Sequence, residues 1–224
     1  MSPNQLPPEW APPGWTPPPE GPAPFVVPPT PVVVPAAAPP AEGLDPDPFA
    51  RLAARRTLFV HGPLDTAASN QLAAQLMALD AASPQPITLL VNSPGGPLED
   101  LAPLLDVLSI VTAPVGATCL GQASGTAAVL VACATGRRRA APAARLGLRL
   151  GPVAAPATLT GTAEELELLA RDHQARLDDL ARLLSQVSRL DIERARKELE
   201  SGPLHDAAAA VEAGLVDEVH ERRR

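Results

Sequence analysis

Aromatic residues are scarce in this sequence of 224 residues, which has no tyrosine, three phenylalanines and two tryptophans. Both tryptophans, Trp10 and Trp15, lie near the N-terminus, so a hydrophobic core has to be built from alanine, leucine and valine. Cysteine is also rare. Cys119 and Cys133 both lie in apolar segments, which favours two buried, reduced thiols over a disulfide framework.

Long apolar runs and an excess of basic residues are absent too. No stretch approaches the roughly 18 apolar residues of a membrane helix, and no basic segment with an apolar core opens the chain. We therefore expect a cytoplasmic protein with no membrane span. The formal net charge is −7, and residues 1–50 contain five acids but no lysine or arginine. The rest of the chain is nearly neutral, which gives no electrostatic case for binding nucleic acid.

Proline is concentrated at one end, since residues 1–50 contain 18 of the 29 prolines. Proline lacks a backbone N–H and fixes φ, so this segment is predicted to be a disordered, acidic tail with polyproline II character. The tail is either a docking segment for a proline-recognising partner or a solvated leader. Residues 51–224 are predicted to form the folded domain.

Two glycine-containing segments each follow a short apolar run. Residues 87–91 (ITLLV) and 115–120 (VGATCL) are predicted strands, followed by NSPGG (92–96) and GQASG (121–125). Glycine tolerates positive φ and lets backbone N–H groups face a ligand. A serine at a strand-to-helix corner would lie at a helix N-terminus, where negative charge is stabilised. Both features are typical of an oxyanion site for acyl chemistry.

The flanking segments predict helices between these strands. Asp65 is expected to cap a helix, and Pro97 is expected in the first turn of the next one. The arginines at 137–139 are expected to be solvated at the end of the helix after GQASG. A further helix is predicted at 191–201, and a last strand at 215–219. Repeated strand–helix units imply an α/β fold with a parallel sheet.

The strongest helix pattern spans residues 162–187. Thr162 and Glu165 form a capping box. Apolar residues, with one histidine among them, follow at spacings of three and four, namely Leu166, Leu169, His173, Leu177, Leu180, Leu184 and Val187. The opposite face is charged, so this helix is expected to carry an interface.

Five segments, in order, resemble the proteolytic subunit of the Clp protease (the ClpP family of serine peptidases). They are RTLFVHGPLD (56–65), NSPGG (92–96), GQAS (121–124), PAAR (142–145) and VEAGLVDEV (211–219). The resemblance implies a ClpP/crotonase-like fold in which helix 162–187 is the handle that pairs two rings. It also implies a homo- or hetero-oligomeric ring with paralogous subunits, a Clp-type ATPase as partner, and neither a cofactor nor a metal.

The resemblance also assigns site residues. Gly96 and the amide of Gly125 correspond to the oxyanion pair. Ser124 takes the nucleophile position if one residue is deleted at the corner, whereas a later deletion places Gly125 there and leaves no nucleophile. Arg149 occupies the family's histidine position, and Gly202 lies at or near the position of its acid.

An arginine cannot serve as the general base, because its guanidinium stays protonated above a pH of about 12. Of the four histidines, His205 is the only substitute base that we consider, because it is close in sequence to Gly202. Ser124 could instead be a helix N-cap without chemistry, and Ser93 is expected to stabilise a turn.

Three hypotheses remain open from the sequence. The first is a ring subunit with little or no hydrolytic activity that supports ATP-dependent degradation. The second is an active serine endopeptidase that uses Ser124. The third is a scaffold that acts through the proline-rich tail.

Overall fold

The computed structural model describes residues 47–150 and 162–220. The helices in these ranges are α1 (Pro48–Ala53), α2 (Thr66–Ala82), α3 (Ala102–Ile110), α4 (Thr126–Ala132), α5 (Ala163–Val187), α6 (Ile192–Ser201) and α7 (Ala207–Glu212). The strands are β1 (Thr57–His61), β2 (Ile87–Ser93), β3 (Val115–Ser124), β4 (Arg138–Ala140), β5 (Arg145–Gly147), β6 (His205–Asp206) and β7 (Glu218–Val219). The predicted α/β fold is confirmed.

The strands form one sheet with the order β1-β2-β3-β4-β7, in which each of these neighbouring pairs is parallel. β3 has two partners on the same side. Its first half pairs with β4, and its last three residues pair with β5, which in turn pairs antiparallel with β6. Gly121 lies between the two halves with φ of +71°, a backbone conformation that glycine adopts at little cost. This fork, in which β3 pairs first with β4 and then with β5, places the end of β3 beside β5, and β6 lies next to β5.

The core is aliphatic, as the composition predicts. In the described part of the chain, every buried hydrophobic side chain is Leu, Ile, Val, Ala or Cys119. α4 is buried along its whole length, because all seven of its residues are small or aliphatic apart from Thr126. Burying these side chains contributes on the order of 25 cal/mol per Å² of apolar surface. The helix that follows β3 is thereby held firmly in the core.

Side-chain caps predicted from the sequence are present. Asp65 accepts a hydrogen bond from the amide of Ala68 at 2.8 Å, and α2 begins directly after it. Thr162 and Glu165 form the reciprocal capping box of α5. The helix predicted at 191–201 begins after Asp191, ends at Ser201, and is capped at its C-terminus by Gly202.

Two element boundaries differ from the prediction near the glycine segments. Pro97 does not lie in a first helical turn, because α3 begins only at Ala102 and Pro103 occupies its second position, where a missing N–H costs little. β3 does not end at residue 120. It continues to Ser124, because its last three residues find ladder partners in β5.

Two further predictions toward the C-terminus are corrected. The helix after β3 ends at Ala132, so the arginine run does not lie at its end. Arg137 is solvated as predicted, with 78% of its side chain exposed, whereas Arg138 lies in β4 with only 15% exposed. The last strand is limited to Glu218–Val219, because Leu215 and Val216 lie buried in the turn before it. Residues 48–50, which the sequence assigns to the tail, are helical.

The rest of the predicted tail and the predicted loop at 151–161 lie outside the described residues. Among the helices that the structure does describe, none is both long enough and apolar enough to cross a membrane.

Candidate functional site

A pocket of about 410 Å³ brings together three residues that the sequence singles out, Ser124, Arg149 and Gly202. The described residues that line it are Pro94, Gln122, Ser124, Gly147, Arg149, Gly202, Pro203 and Leu204. The three positions are separated by as many as 78 residues in the chain, and the fork in the sheet is what places them together. Gly96 and Gly125 do not line the pocket.

Each of the three residues is positioned by the end of an element. Ser124 is the last residue of β3 and pairs with Gly147 at the end of β5. Arg149 follows β5 by two residues, and Gly202 is the C-cap of α6. The amide of Leu150 donates to the carbonyl of Leu199 at 2.9 Å, which holds the segment after β5 against α6.

Ser124 is half-buried and has a single side-chain partner among the described residues. The side-chain amide of Gln122, two residues earlier on the same strand, donates to Ser124 Oγ at 2.7 Å. The interpretation of Ser124 as a helix N-cap is wrong, because the N-cap of α4 is Gly125. An amide that donates to the hydroxyl cannot remove its proton, so this contact does not activate Ser124 as a nucleophile.

Ser93 has the turn-stabilising role that the sequence predicts. It is 1% exposed, and its hydroxyl donates to the carbonyl of Gly62 at 2.6 Å. The same oxygen accepts from the amide of Gly95 at 3.0 Å. Ser93 thus fixes the NSPGG segment against the end of β1.

Both amides of the expected oxyanion pair donate to groups of the protein itself. The Gly96 amide donates to Thr126 Oγ1 at 2.8 Å, and the Gly125 amide donates to the carbonyl of Gly147 at 2.8 Å. Thr126 is 1% exposed, so the first of these bonds is buried. In this arrangement neither amide is available to a developing oxyanion, which needs donors aimed at its own position.

Gly202 leaves no room for a side chain. A Cβ at this position would lie 2.2 Å from Glu198 Oε2 and 2.6 Å from the carbonyl oxygen of Glu198, distances that real Cβ atoms do not show. A carboxylic acid at residue 202 is therefore incompatible with the way α6 ends here. Glu198 itself is 7% exposed.

His205 faces away from Ser124. Leu146 pairs with both Ala123 and His205, whereas Gly147 pairs with Ser124. Neighbours in register present their side chains on the same face of a sheet, and successive residues alternate between faces. His205 therefore shares the face of Leu146, where its Nε2 lies 3.1 Å from Glu198 Oε2. The side chain of His205 is therefore directed to the face of the sheet opposite that of Ser124.

The remaining histidines of the described ranges do not line the pocket. The ring of His61 packs on Phe49 and Phe59, with centroid distances of 5.1 and 5.5 Å. His173 is half-buried on α5, and His220 is exposed after β7. Within residues 47–150 and 162–220 no three His, Cys, Asp or Glu side chains cluster in a way that could hold a metal ion.

The family model described as Clp protease matches residues 42–223, which is most of the chain. The chain belongs to the Clp protease family. A relative in Streptomyces avermitilis, named ATP-dependent Clp protease proteolytic subunit 2, is 36% identical over 179 residues, which cover 79% of this chain and 88% of the relative. A Clp protease proteolytic subunit-like protein of Streptomyces coelicolor is 37% identical over 183 residues, covering 80% and 84%. Proteolytic subunit 1 of Rhodococcus jostii is 32% identical over 182 residues, covering 80% of each chain.

Family membership confirms the resemblance that the five sequence segments indicate. Three residues that contact the candidate site residues carry no local sequence signal for this role. The side-chain amide of Gln122 donates to Ser124 Oγ, and Thr126 Oγ1 accepts from the Gly96 amide. The carboxylate of Glu198 occupies the space beside Gly202. The contact between Thr126 and Gly96 joins residues 30 positions apart and depends on how the chain folds back on itself, so a motif search cannot find it.

Proposed function

We propose that this chain is a cytoplasmic ring subunit of a Clp-type protease that has little or no peptidase activity of its own. It would support ATP-dependent protein degradation by completing or modulating a ring with active paralogous subunits, to which a Clp-type ATPase docks. The single observation that carries the proposal is the lining of the pocket at Ser124. Arg149 is the only ionisable side chain among its described residues.

The missing base is the main physical argument. An arginine side chain does not act as a general base, and the register of β5 and β6 places His205 on the face of the sheet opposite Ser124. Residues 151–161, which follow in the chain, contain no ionisable side chain either. A serine hydrolase that loses one member of its triad typically loses about 10⁴-fold or more in rate. Two members are replaced here, so any residual hydrolysis would be slow.

Two further observations support the proposal independently. The amides of Gly96 and Gly125 already donate to other groups of the protein, and position 202 has no space for a side chain. A substrate carbonyl would have to displace Thr126 Oγ1 from Gly96, or the Gly147 carbonyl from Gly125, before it gained an oxyanion donor. Each exchange replaces one hydrogen bond by another, so the net stabilisation of a transition state would be small. A single substitution at position 202 would not restore the acid.

The outer part of α5 supports the ring assembly. Leu166, Leu168 and Leu169 are 38%, 68% and 57% exposed, whereas Leu177, Leu180 and Leu184 further along the helix are buried. Clustered apolar side chains on an exposed helix are typical of an interface. We propose that this segment is the handle through which two rings pair.

The thiols agree with a reducing compartment. Both cysteines are free; Cys119 is buried and Cys133 is half-buried. Burial raises the pKa of Cys119 to about 12, and that of Cys133 also to about 12 despite the opposing charge of Arg138. Such thiols are poor nucleophiles at neutral pH and have no role in the proposed mechanism.

The proposal is tested by labelling the purified full chain with a fluorophosphonate, beside Ser124→Ala, and by measuring its mass with and without paralogous proteolytic subunits. We expect no labelling above the Ser124→Ala background and a large complex that contains both subunits. Stoichiometric labelling at Ser124 would refute the loss of catalysis. A chain that stays monomeric in the presence of the paralogous subunits would refute the proposed ring.

A further inference from the structure

The pocket at Ser124 presents several hydrogen-bond donors. Ser124 Oγ accepts from Gln122 Nε2, so its own O–H is left to donate, and no described residue accepts it. The side-chain amide of Gln122 has a second N–H, and the guanidinium of Arg149 has five. Among the described residues that line the pocket, none has a carboxylate.

Arg149 is the source of positive charge at this site. It is exposed, and among the described residues it takes part in no ion pair, whereas Arg137, Arg138 and Arg139 are all paired with Asp217 or Glu218. The carboxylate of Glu198, behind Gly202, is buried and hydrogen-bonded to His205. It therefore does not neutralise the guanidinium from within the pocket.

Part of the pocket lining is apolar. Pro94, Pro203 and Leu204 line the pocket, and a Cβ on Gly147 would lie only 2.8 Å from the Leu204 side chain. A cavity of about 410 Å³ is within the usual range for small ligands. Planar guanidinium binds carboxylate in a bidentate fashion, and a neighbouring apolar wall suits an aliphatic side chain.

We infer that this pocket binds the C-terminal carboxylate of a peptide whose last side chain is apolar, with the carboxylate on Arg149 and Ser124. This inference rests on the proposed function. An inactive subunit in a ring with active subunits would be exposed to the peptide products of those subunits, and each product ends in such a carboxylate. The former catalytic position then acts as a product-binding site. No bond is made or broken in this role.

Calorimetric titration of the full chain with N-acetyl-Ala-Leu, as the free acid and as the C-terminal amide, tests the inference. We expect the acid to bind at least about tenfold more tightly than the amide, because the amide lacks the charge that strengthens hydrogen bonds to guanidinium. Arg149→Gln should abolish that preference. Arg145→Gln removes the same charge from an exposed residue outside this pocket and should leave the preference unchanged.

Acetate and inorganic phosphate separate a peptide site from a general anion site. Acetate should compete weakly, since it lacks the apolar side chain, and phosphate should bind no better than acetate. Equal affinities for acid and amide, an unaltered preference in Arg149→Gln, or tighter binding of phosphate than of the peptide acid would overturn the inference. The two peptides are checked by mass spectrometry after titration. Cleavage would count against the proposed function, whereas the ratio of acid to amide affinity reports on the binding site alone.

Discussion

The carboxylate of Glu198 fills the space that a side chain at Gly202 would occupy. Glu198 Oε2 would lie 2.2 Å from a Cβ at that position. Glu198 is held there by burial and by its hydrogen bond to His205. A substitution at this position alone would therefore not introduce a carboxylic acid without moving Glu198 and the end of α6.

The first prediction concerns that volume. Gly202→Ala should lower the free energy of unfolding by about 1–3 kcal/mol, because overpacking forces the end of α6 to shift. Adding Glu198→Ala to the Gly202→Ala protein should recover only part of this loss. The backbone carbonyl oxygen of residue 198, 2.6 Å from the new Cβ, remains in place. Urea unfolding of the two single variants and the double variant measures both effects. A neutral Gly202→Ala would contradict the steric account.

The second prediction concerns the buried bond between Gly96 and Thr126. Thr126→Val keeps the side-chain volume but removes the acceptor of the Gly96 amide, so it should cost about 1–3 kcal/mol of unfolding free energy. Thr126→Ser retains the hydroxyl and serves as the control. It should lose the smaller amount expected for one methyl group, about 1 kcal/mol. Equal losses in the two variants would mean that the hydrogen bond contributes nothing.

A third prediction concerns pH. Partial burial raises the pKa of Asp217, but side-chain and backbone hydrogen bonds from Arg138, together with its charge, outweigh burial and hold the pKa below 3.8. A lowered pKa in the folded state contributes stability above the pKa of the unfolded state, and that contribution is lost as the pH falls through the folded value. Asp217→Asn should therefore destabilise the protein at pH 7 but have a smaller effect near pH 3.

The expected difference at pH 7 is roughly 1 kcal/mol or less, because the side chain of Asp217 is 45% exposed and solvent screens its charge. Unfolding free energies of both proteins at pH 3, 5 and 7 provide the test. Asp179→Asn, which removes an exposed ion pair within α5, is the matched control. A difference that stays constant or grows toward acid would show that Arg138 does not stabilise the charged form of Asp217.

The fourth prediction concerns assembly through α5. Leu169→Glu should reduce the mass of the complex in solution, because a charge would be buried where two handles pack. Ile110→Glu changes a comparably exposed side chain, 65% against 57%, at the end of α3 and should leave the ring-to-ring contact intact. Analytical ultracentrifugation compares the two variants. Equal loss of mass in both would assign no special role to α5.

The sequence predicts those parts of the fold that depend on local chemistry. Asp65 caps α2, and Thr162 with Glu165 begins α5, because each cap requires only side chains three residues apart. The strand at 87–91 is marked by its apolar run and its position before SPGG. Ser124 and Arg149, which the family resemblance assigns to the nucleophile and histidine positions, line the same pocket.

What the sequence does not predict depends on contacts between distant residues. β3 extends to Ser124 only because it pairs with β5, 23 residues later along the chain. The Gly96 amide donates to Thr126, 30 residues away, and β6 places His205 on the face opposite Ser124. A local pattern contains none of this information, so the availability of a base or an oxyanion donor cannot be predicted from motifs alone.

The rate at which the purified chain cleaves an unstructured fluorogenic peptide, in the absence of any paralogous subunit, tests the central claim most directly. The account predicts a rate equal to that of Ser124→Ala across pH 6–9, because Arg149 supplies no base at any of these values. Cleavage well above that control, and abolished by Ser124→Ala, would contradict it.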